Sequence, residues 1–229
     1  MIALDVERIK RKYRRNVRFY DRMIAGPTEA LRRAAVARLA LRPGDRVLDL
    51  GCGTGLSLPL LRDAVGDDGV VYGVELSLDM LARARTRVAE AGWRNVQLIE
   101  ANAESFELPE PVHAILCFYT HDILLSPTAL PRAIGFLAPE GRVVAAGAKL
   151  VHGWRALINP VTVAYSLTAV TTRDVRRSYR PFAALEELHR DVHVEERWLG
   201  SQYLVWGRRG VRDSIRAVRE PGGPSRREP

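Results

Sequence analysis

One run of the chain has the residue types and spacing of a ligand site: Val47-Leu48-Asp49-Leu50-Gly51-Cys52-Gly53-Thr54-Gly55, behind the turn Pro43-Gly44-Asp45. An apolar strand enters a loop with glycine at every second position, and a helix follows. Glycine removes side chains where backbone turns tightly and approaches a ligand. The next helix N-terminus offers free N–H groups, and ligands of open α/β sheets sit beyond the carboxyl ends of the strands. A dinucleotide loop is written G-x-G-x-x-G; here the spacing is G-x-G-x-G. Asp49 stands two residues before the first glycine, where a carboxylate repels a pyrophosphate and suits a cationic amine. Cys52 reads as a small residue in a tight loop. A second constellation is His121-Asp122, the adjacent pair of proton-handling groups at a predicted strand end. A histidine with pKa near ~6.5 accepts a proton at neutral pH, which helps any acceptor that must lose one. The alternative is that His121 orients a loop and Asp122 caps the next turn.

The elements that position these groups follow from periodicity. Ile2, Val6, Ile9, Tyr13, Val17, Tyr20 and Ile24 recur on a 3.6-residue period and predict a helix over 2–24. Gly26-Pro27-Thr28 is expected to break it, with Thr28 capping a second helix to about Leu41. Short apolar runs then alternate with helical ones. Strands are predicted at Arg46–Leu50, Val70–Glu75, Val96–Glu100, Val112–Phe118 and Arg142–Ala148, and helices at Leu56–Val65, Leu78–Ala91 (Ser77 as N-cap) and Thr128–Leu137. This alternation argues for a parallel α/β sheet with helices on both faces. Residues 150–190 read as helical and irregular, and two further strands are expected near Val192–Trp198 and Gln202–Gly207. Cys117 lies in a predicted buried strand and reads as core. His113, His189 and His193 read as structural or surface residues.

Composition bounds the rest. At 229 residues and 47% apolar content, one domain with a substantial core is expected. No apolar run is long enough to cross a bilayer, and the N-terminus lacks the order of a signal peptide. The two cysteines suggest neither a disulfide framework nor zinc, so no metal is expected. Residues 1–25 hold eight basic and three acidic residues, and 207–229 hold seven and three. The net charge of +8 therefore sits at the ends, and 26–206 carries −1. Only three of the 35 basic residues are lysine, a bias that reads as genome composition.

With these residues the chain resembles the class I, Rossmann-like, S-adenosylmethionine-dependent methyltransferases, over roughly residues 13–148 and more loosely to about 209. The resemblance implies a doubly wound, mostly parallel seven-stranded sheet. It divides the chain into an N-terminal helical cap (1–41), a cofactor core (42–148), a helical lid insertion (149–190) and final strands (191–209), with a single domain ending near 219 and a disordered tail at 220–229. The cofactor is S-adenosylmethionine, leaving as S-adenosylhomocysteine; its amine and sulfonium suit Asp49. In that family the loop of Gly51, Cys52, Gly53 and Gly55 wraps the methionine end, and the acid ending the second strand, Glu75, takes both ribose hydroxyls. Leu76 and Met80 would flank the adenine, and Asn102, Ala103 and Glu104 match the segment that reads its edge. Asn102 stands where the family usually has Asp, so a bond there is not charge-assisted. Phe118 joins the cofactor set at the end of the fourth strand.

The acceptor side follows in Tyr119, Thr120, His121 and Asp122. The chain lacks the Asn/Asp-Pro-Pro-aromatic motif used for base and amide nitrogens and the paired glutamates of arginine methyltransferases. Methyl transfer is a direct displacement that runs on alignment alone, so a base at His121 is useful but not obligatory. Tyr119 either lines the pocket or closes over the sulfonium. Tyr13, Tyr20, Trp154 and Tyr165 are candidates for an acceptor wall, with core packing as the alternative. A small-molecule acceptor is expected. The Tyr13…Phe19-Tyr20-Asp21 spacing resembles enzymes of quinone precursors and phosphatidylethanolamine-type lipids. A basic amphipathic first helix would suit peripheral membrane contact by an otherwise cytoplasmic protein. Nucleic acid would be drawn by the basic ends, but no aromatic residues are interleaved there. A catalytically silent cofactor sensor is the non-enzyme alternative.

Overall fold

The five predicted apolar runs pair side by side into one sheet. The computed structural model describes residues 17–160, 162, 179–188 and 191–209. In order these form α1 (Val17–Leu39), β1 (Arg46–Leu50), α2 (Leu58–Val65), β2 (Val70–Glu75), α3 (Leu78–Ala91), β3 (Val96–Glu100), β4 (Val112–Phe118), α4 (His121–Leu125), α5 (Ala129–Gly135), β5 (Leu137–Ala148), a 3-10 helix (Gly153–Ile158), α6 (Ala183–Leu188), β6 (His193–Arg197) and β7 (Gln202–Arg208). The sheet order is β3-β2-β1-β4-β5-β7-β6. β1 to β5 pair with one another in parallel, and β7 runs antiparallel to β5 and β6. Strand order reverses between β1 and β4, which opens a crevice at their carboxyl ends.

Alternate strand residues feed two cores. On one face Val47, Val71, Ala114, Leu116, Val144 and Ala146 pack with Leu31, Ala35, Val36 and Leu39 of α1 and Leu58, Leu61 and Val65 of α2. On the other, Leu48, Leu50, Val74, Ile115, Val143, Ala145 and Val205 meet Leu124 of α4, Leu130 and Ala133 of α5 and Leu185 of α6. Burial on both faces explains why the central strands read as unbroken apolar runs.

Two expectations need correction, and two local details go beyond them. The helix does not stop at Gly26-Pro27-Thr28: α1 runs through, with Pro27 inside. Pro27 removes one helical N–H, but Gly26 has no Cβ to collide with the proline ring, and the buried stripe from Thr28 to Leu39 holds the helix on the sheet. β5 begins at Leu137, five residues early, with an irregular register opposite Val112 and Ala114. α4 is a short helix that no periodicity announced. Ser77 occupies the N-cap position of α3 without a side-chain cap bond; its backbone N–H serves Glu75 instead. The first sixteen residues, residues 161 and 163–178, His189 and Arg190 of the insertion, and the tail from 210 lie outside the described residues.

Candidate active site

The glycine-rich loop leaves β1 under steric compulsion. Gly51 has φ +77°, and a Cβ there would stand 2.5 Å from Thr120 Cγ2. Gly53 has φ +58° with open space on its Cβ side, and its N–H donates to Glu75 Oε2 at 3.0 Å. Only residues without side chains adopt this path cheaply. Two neighbours brace the loop. Thr54 Oγ1 donates to Asp21 Oδ1 of α1 at 2.5 Å, and Arg87 of α3 pairs with Asp21 Oδ2 at 3.1 Å and donates to the Thr54 carbonyl.

A cleft opens at this loop, lined by Arg32, Asp49, Gly51, Gly53, Phe118 and Tyr119 among others. Asp49 is 1% exposed, and its Oδ2 has no partner among the described residues. Burial pushes its carboxyl up to about 7, with Arg32 pulling down and Glu75 pushing up. Arg32 is equally buried, donates to Thr28 Oγ1 at 2.7 Å and Glu29 at 3.2 Å, and holds its guanidinium 4.9 Å from the centre of the Phe118 ring. One cleft thus offers a carboxylate and a guanidinium. Sequence reading missed Arg32; the signal was a charge on the buried stripe Thr28, Leu31, Arg32, Ala35, Leu39. Tyr119 adopts φ +59°, a costly conformation for an aromatic residue, and its N–H donates to the Ala146 carbonyl at 2.8 Å.

Glu75 ends β2 beside the loop. Its Oε1 accepts from the Ser77 N–H at 2.7 Å and its Oε2 from Gly53. Burial raises its pKa and these backbone donors oppose the rise. A carboxylate has four lone-pair sites, so the sequence-expected role toward ribose hydroxyls leaves it capacity, but the same group also fastens the loop. Leu76 follows half-buried and Met80 is buried in α3. Asn102 Oδ1 accepts from the Glu104 N–H at 2.9 Å and so shapes its own turn, with Ala103 buried within it. Glu104 Oε1 accepts from Ser126 Oγ at 2.6 Å. Cys52 is buried and free, with its thiol pKa pushed up by burial.

The acceptor candidates lie beyond β4. His121 is 4% exposed, and its Nε2 donates to the Ala148 carbonyl at 2.5 Å. Burial lowers its pKa, against the carbonyl contact and Asp122, so the ring is neutral at neutral pH with Nδ1 as a lone-pair acceptor. Asp122 lies half-buried in the first turn of α4. Trp154 is 71% exposed on the 3-10 helix rather than turned into a wall. Tyr20 belongs to α1, but its side chain, like Tyr13 and Tyr165 as a whole, lies outside the described residues. His113 sits at the far end of β4, where its Nδ1 accepts from the Arg46 N–H at 2.9 Å.

Residues 47–141 match a family model described as a methyltransferase domain. The chain is 30% identical to a demethylmenaquinone methyltransferase of Anoxybacillus flavithermus, covering 60% of this chain and 61% of that one. It is 37% identical to a phosphatidylethanolamine N-methyltransferase of Cereibacter sphaeroides (47% and 50%) and 34% identical to an aklanonic acid methyltransferase of a Streptomyces strain (52% and 49%). The chain thus spans about half to three-fifths of the length of these curated relatives. Its fold is shared with a SAM-dependent methyltransferase from Aquifex aeolicus, at TM-score 0.57 and 19% identity over 90% of this chain and 99% of the other. An N-methyltransferase from Bradyrhizobium japonicum is similar at TM-score 0.55 and 16% identity, over 81% and 98%.

Proposed function

We propose that the chain is a class I, Rossmann-like, S-adenosylmethionine-dependent methyltransferase, a reading supported by the methyltransferase-domain match and the relatives above, and that it transfers a methyl group from S-adenosylmethionine to a small-molecule acceptor. The observation that carries this reading is the buried Asp49 carboxylate, with one oxygen unpartnered among the described residues, beside the buried Arg32 guanidinium in one cleft. An isolated carboxylate in such a place is costly. A zwitterionic amino-acid end answers both groups: its ammonium donates to Asp49 and its carboxylate accepts from Arg32. Glu75 fits the ribose hydroxyls, and the rigid Gly51–Gly55 backbone lets the cofactor approach.

When bound, the cofactor supplies an electrophilic methyl on its sulfonium. The chain's own residues do the rest. Phe118 and Tyr119 line the cleft, and His121 is the proton acceptor at Nδ1 on the acceptor side. The test is calorimetry with S-adenosylhomocysteine. Micromolar binding, lost in Asp49→Ala and weakened in Arg32→Ala, is expected. No binding to the wild-type chain overturns the proposal. Binding with no methylated product from any metabolite pool would make the chain a silent sensor instead.

A second reading, a lipid or quinone acceptor taken at a membrane surface, is favoured by one observation. Gln202 pairs with Ala148, so the β6–β7 turn lies at the carboxyl end of the sheet. There Trp198 and Leu199 are 67% and 56% exposed, with Arg155 of the 3-10 helix packed near Gly200. Among the described residues no helix is long and apolar enough to cross a membrane. The apolar stripe from Ile2 to Ile24, expected to make such a contact, has its side chains outside the described residues. Vesicle co-sedimentation lost in Trp198→Ser would support this second reading; equal sedimentation of both proteins would count against it.

A further inference from the structure

The amino ends of the parallel strands, away from the cleft, carry arginines that oppose one another. Arg142 of β5 is the direct cross-strand partner of Arg208 of β7. It lies level with Ala114 of β4, and hence with Val47 near the start of β1. Val144 of β5 and Trp206 of β7 pack into the core under α1. Side chains alternate along a strand, so Arg142 and Arg208 leave the sheet on that same face. Arg42, three residues past the end of α1, joins them. Burial, then Arg208, then Arg42 push the Arg142 guanidinium below its ordinary pKa, and no carboxylate is among the groups acting on it. Among the described residues, none of the three guanidiniums has a hydrogen-bond or ion-pair partner. Asp45, the acid of the adjoining turn, accepts from the Arg42 backbone N–H at 2.8 Å and lies 3.7 Å from His113 Nδ1. Like charges directly opposite on adjacent strands destabilise a sheet. Three of them with no acid between present a charge that an anion from outside can neutralise.

We propose that Arg42, Arg142 and Arg208 form a binding site for a multiply charged phosphate anion, either inorganic or the phosphate end of a soluble metabolite. The site is independent of the methyl-transfer reading. A guanidinium is planar, and its paired N–H donors match two phosphate oxygens. A di- or trivalent anion lets three guanidiniums share its oxygens and turns their mutual repulsion into attraction; a carboxylate monoanion leaves two of the charges unanswered. Larger polyanions fit less well. A nucleic-acid duplex is held by a longer run of phosphate contacts than three arginines supply. The ring beside the group, Trp206, is already covered by Arg38 at 4.1 Å and stacked on His193 at 5.4 Å, so it offers no face to a base. A bilayer surface calls for apolar side chains to insert, and the exposed Trp198 and Leu199 stand at the other end of the sheet.

The experiment is calorimetry on the full-length chain at low ionic strength, where charge contacts are least screened, with pyrophosphate as the probe. One pyrophosphate should bind per chain, more tightly than inorganic phosphate, and acetate should not compete. Arg142→Gln and Arg208→Gln should each weaken pyrophosphate about tenfold, the loss of one charge-assisted contact. Arg85→Gln removes the same charge from an exposed site on α3, which packs on β3 at the opposite edge of the sheet, and should leave pyrophosphate binding unchanged. Urea melts report whether each variant folds and add a second sign. Without anion, Arg208→Gln should raise the midpoint, because a repulsion is relieved. Pyrophosphate should raise the midpoint of the wild-type chain and leave that of Arg208→Gln nearly still. Glycerol 3-phosphate binding as tightly as pyrophosphate would assign the site to a phosphorylated metabolite, and weaker binding would assign it to the free anion. No binding of any of these phosphates, an equal loss in Arg85→Gln, or tighter binding of duplex DNA or phosphatidate vesicles through the same arginines overturns the proposal.

Discussion

The Thr54 hydroxyl donates to Asp21 Oδ1 across 33 residues, at 2.5 Å, and so ties the glycine-rich loop to the N-terminal helix. Arg87 holds the same carboxylate from α3. One aspartate therefore clamps three elements around the cleft. Thr54→Val keeps the shape and removes the donor. The expected loss is about 1.5–2 kcal/mol of stability, the lower range for a bond to a charged group, seen as a reduced urea midpoint. Affinity for S-adenosylhomocysteine should fall with it. An unchanged midpoint and affinity would show that the clamp carries no energy.

Glu75 has two duties, and its removal should show both. Glu75→Ala takes the acceptor away from the Gly53 and Ser77 N–H groups, so the Gly53 amide should exchange faster even without ligand. Cofactor-product affinity should fall by about 1.5–3 kcal/mol. Unaltered Gly53 exchange would confine Glu75 to ligand contact.

Asp49 makes binding depend on pH. Its carboxyl sits at about 7 in the folded chain, against an ordinary value of 3.8. The ionised form is the one that holds an ammonium, so affinity for S-adenosylhomocysteine should fall as pH is lowered through about 7. Between about 4 and 7 the folded state keeps a proton that the unfolded state has lost, so in ligand-free protein this group makes stability fall as pH rises through that window. Asp49→Asn should flatten both profiles. Calorimetry and urea melts at several pH values check the two signs; identical profiles for Asp49→Asn and wild type would refute them.

Two backbone positions should respond in opposite directions. Gly51→Ala places a Cβ 2.5 Å from Thr120 Cγ2 at φ +77° and should cost more than about 1 kcal/mol. Pro27→Ala restores a helical N–H at an exposed site inside α1 and should gain about 1–3 kcal/mol, up to the helix-interior cost of proline. Thermal melts read both, and a destabilised Pro27→Ala protein would mean that α1 needs its proline.

Much of this fold is written locally. Val47–Leu50, Val70–Glu75 and Val112–Phe118 announce buried strands because each run is apolar on both faces, and Asp49 with Gly51, Gly53 and Gly55 announces a cationic ligand because charge and missing side chains act at short range. The continuous α1 was not legible, since Pro27 is a local stop signal that burial of Leu31, Ala35 and Leu39 overrides. Arg32 could be suspected only as a charge on an apolar stripe. His121 was visible as a titratable residue past β4, but its tautomer was not, because that depends on the Ala148 carbonyl, 27 residues away.

The sequence by itself determined the alternation of strands and helices, the bare loop and the acids at the ends of β1 and β2, since these depend on the conformational preferences of neighbouring residues. Only the tertiary structure decided which distant groups share a dielectric: Arg32 with Asp49, Asp21 with Thr54, and His121 with the Tyr203 ring packed against it. Electrostatic and hydrogen-bond energies depend on distance in space and on excluded water, and neither is a property of spacing along the chain.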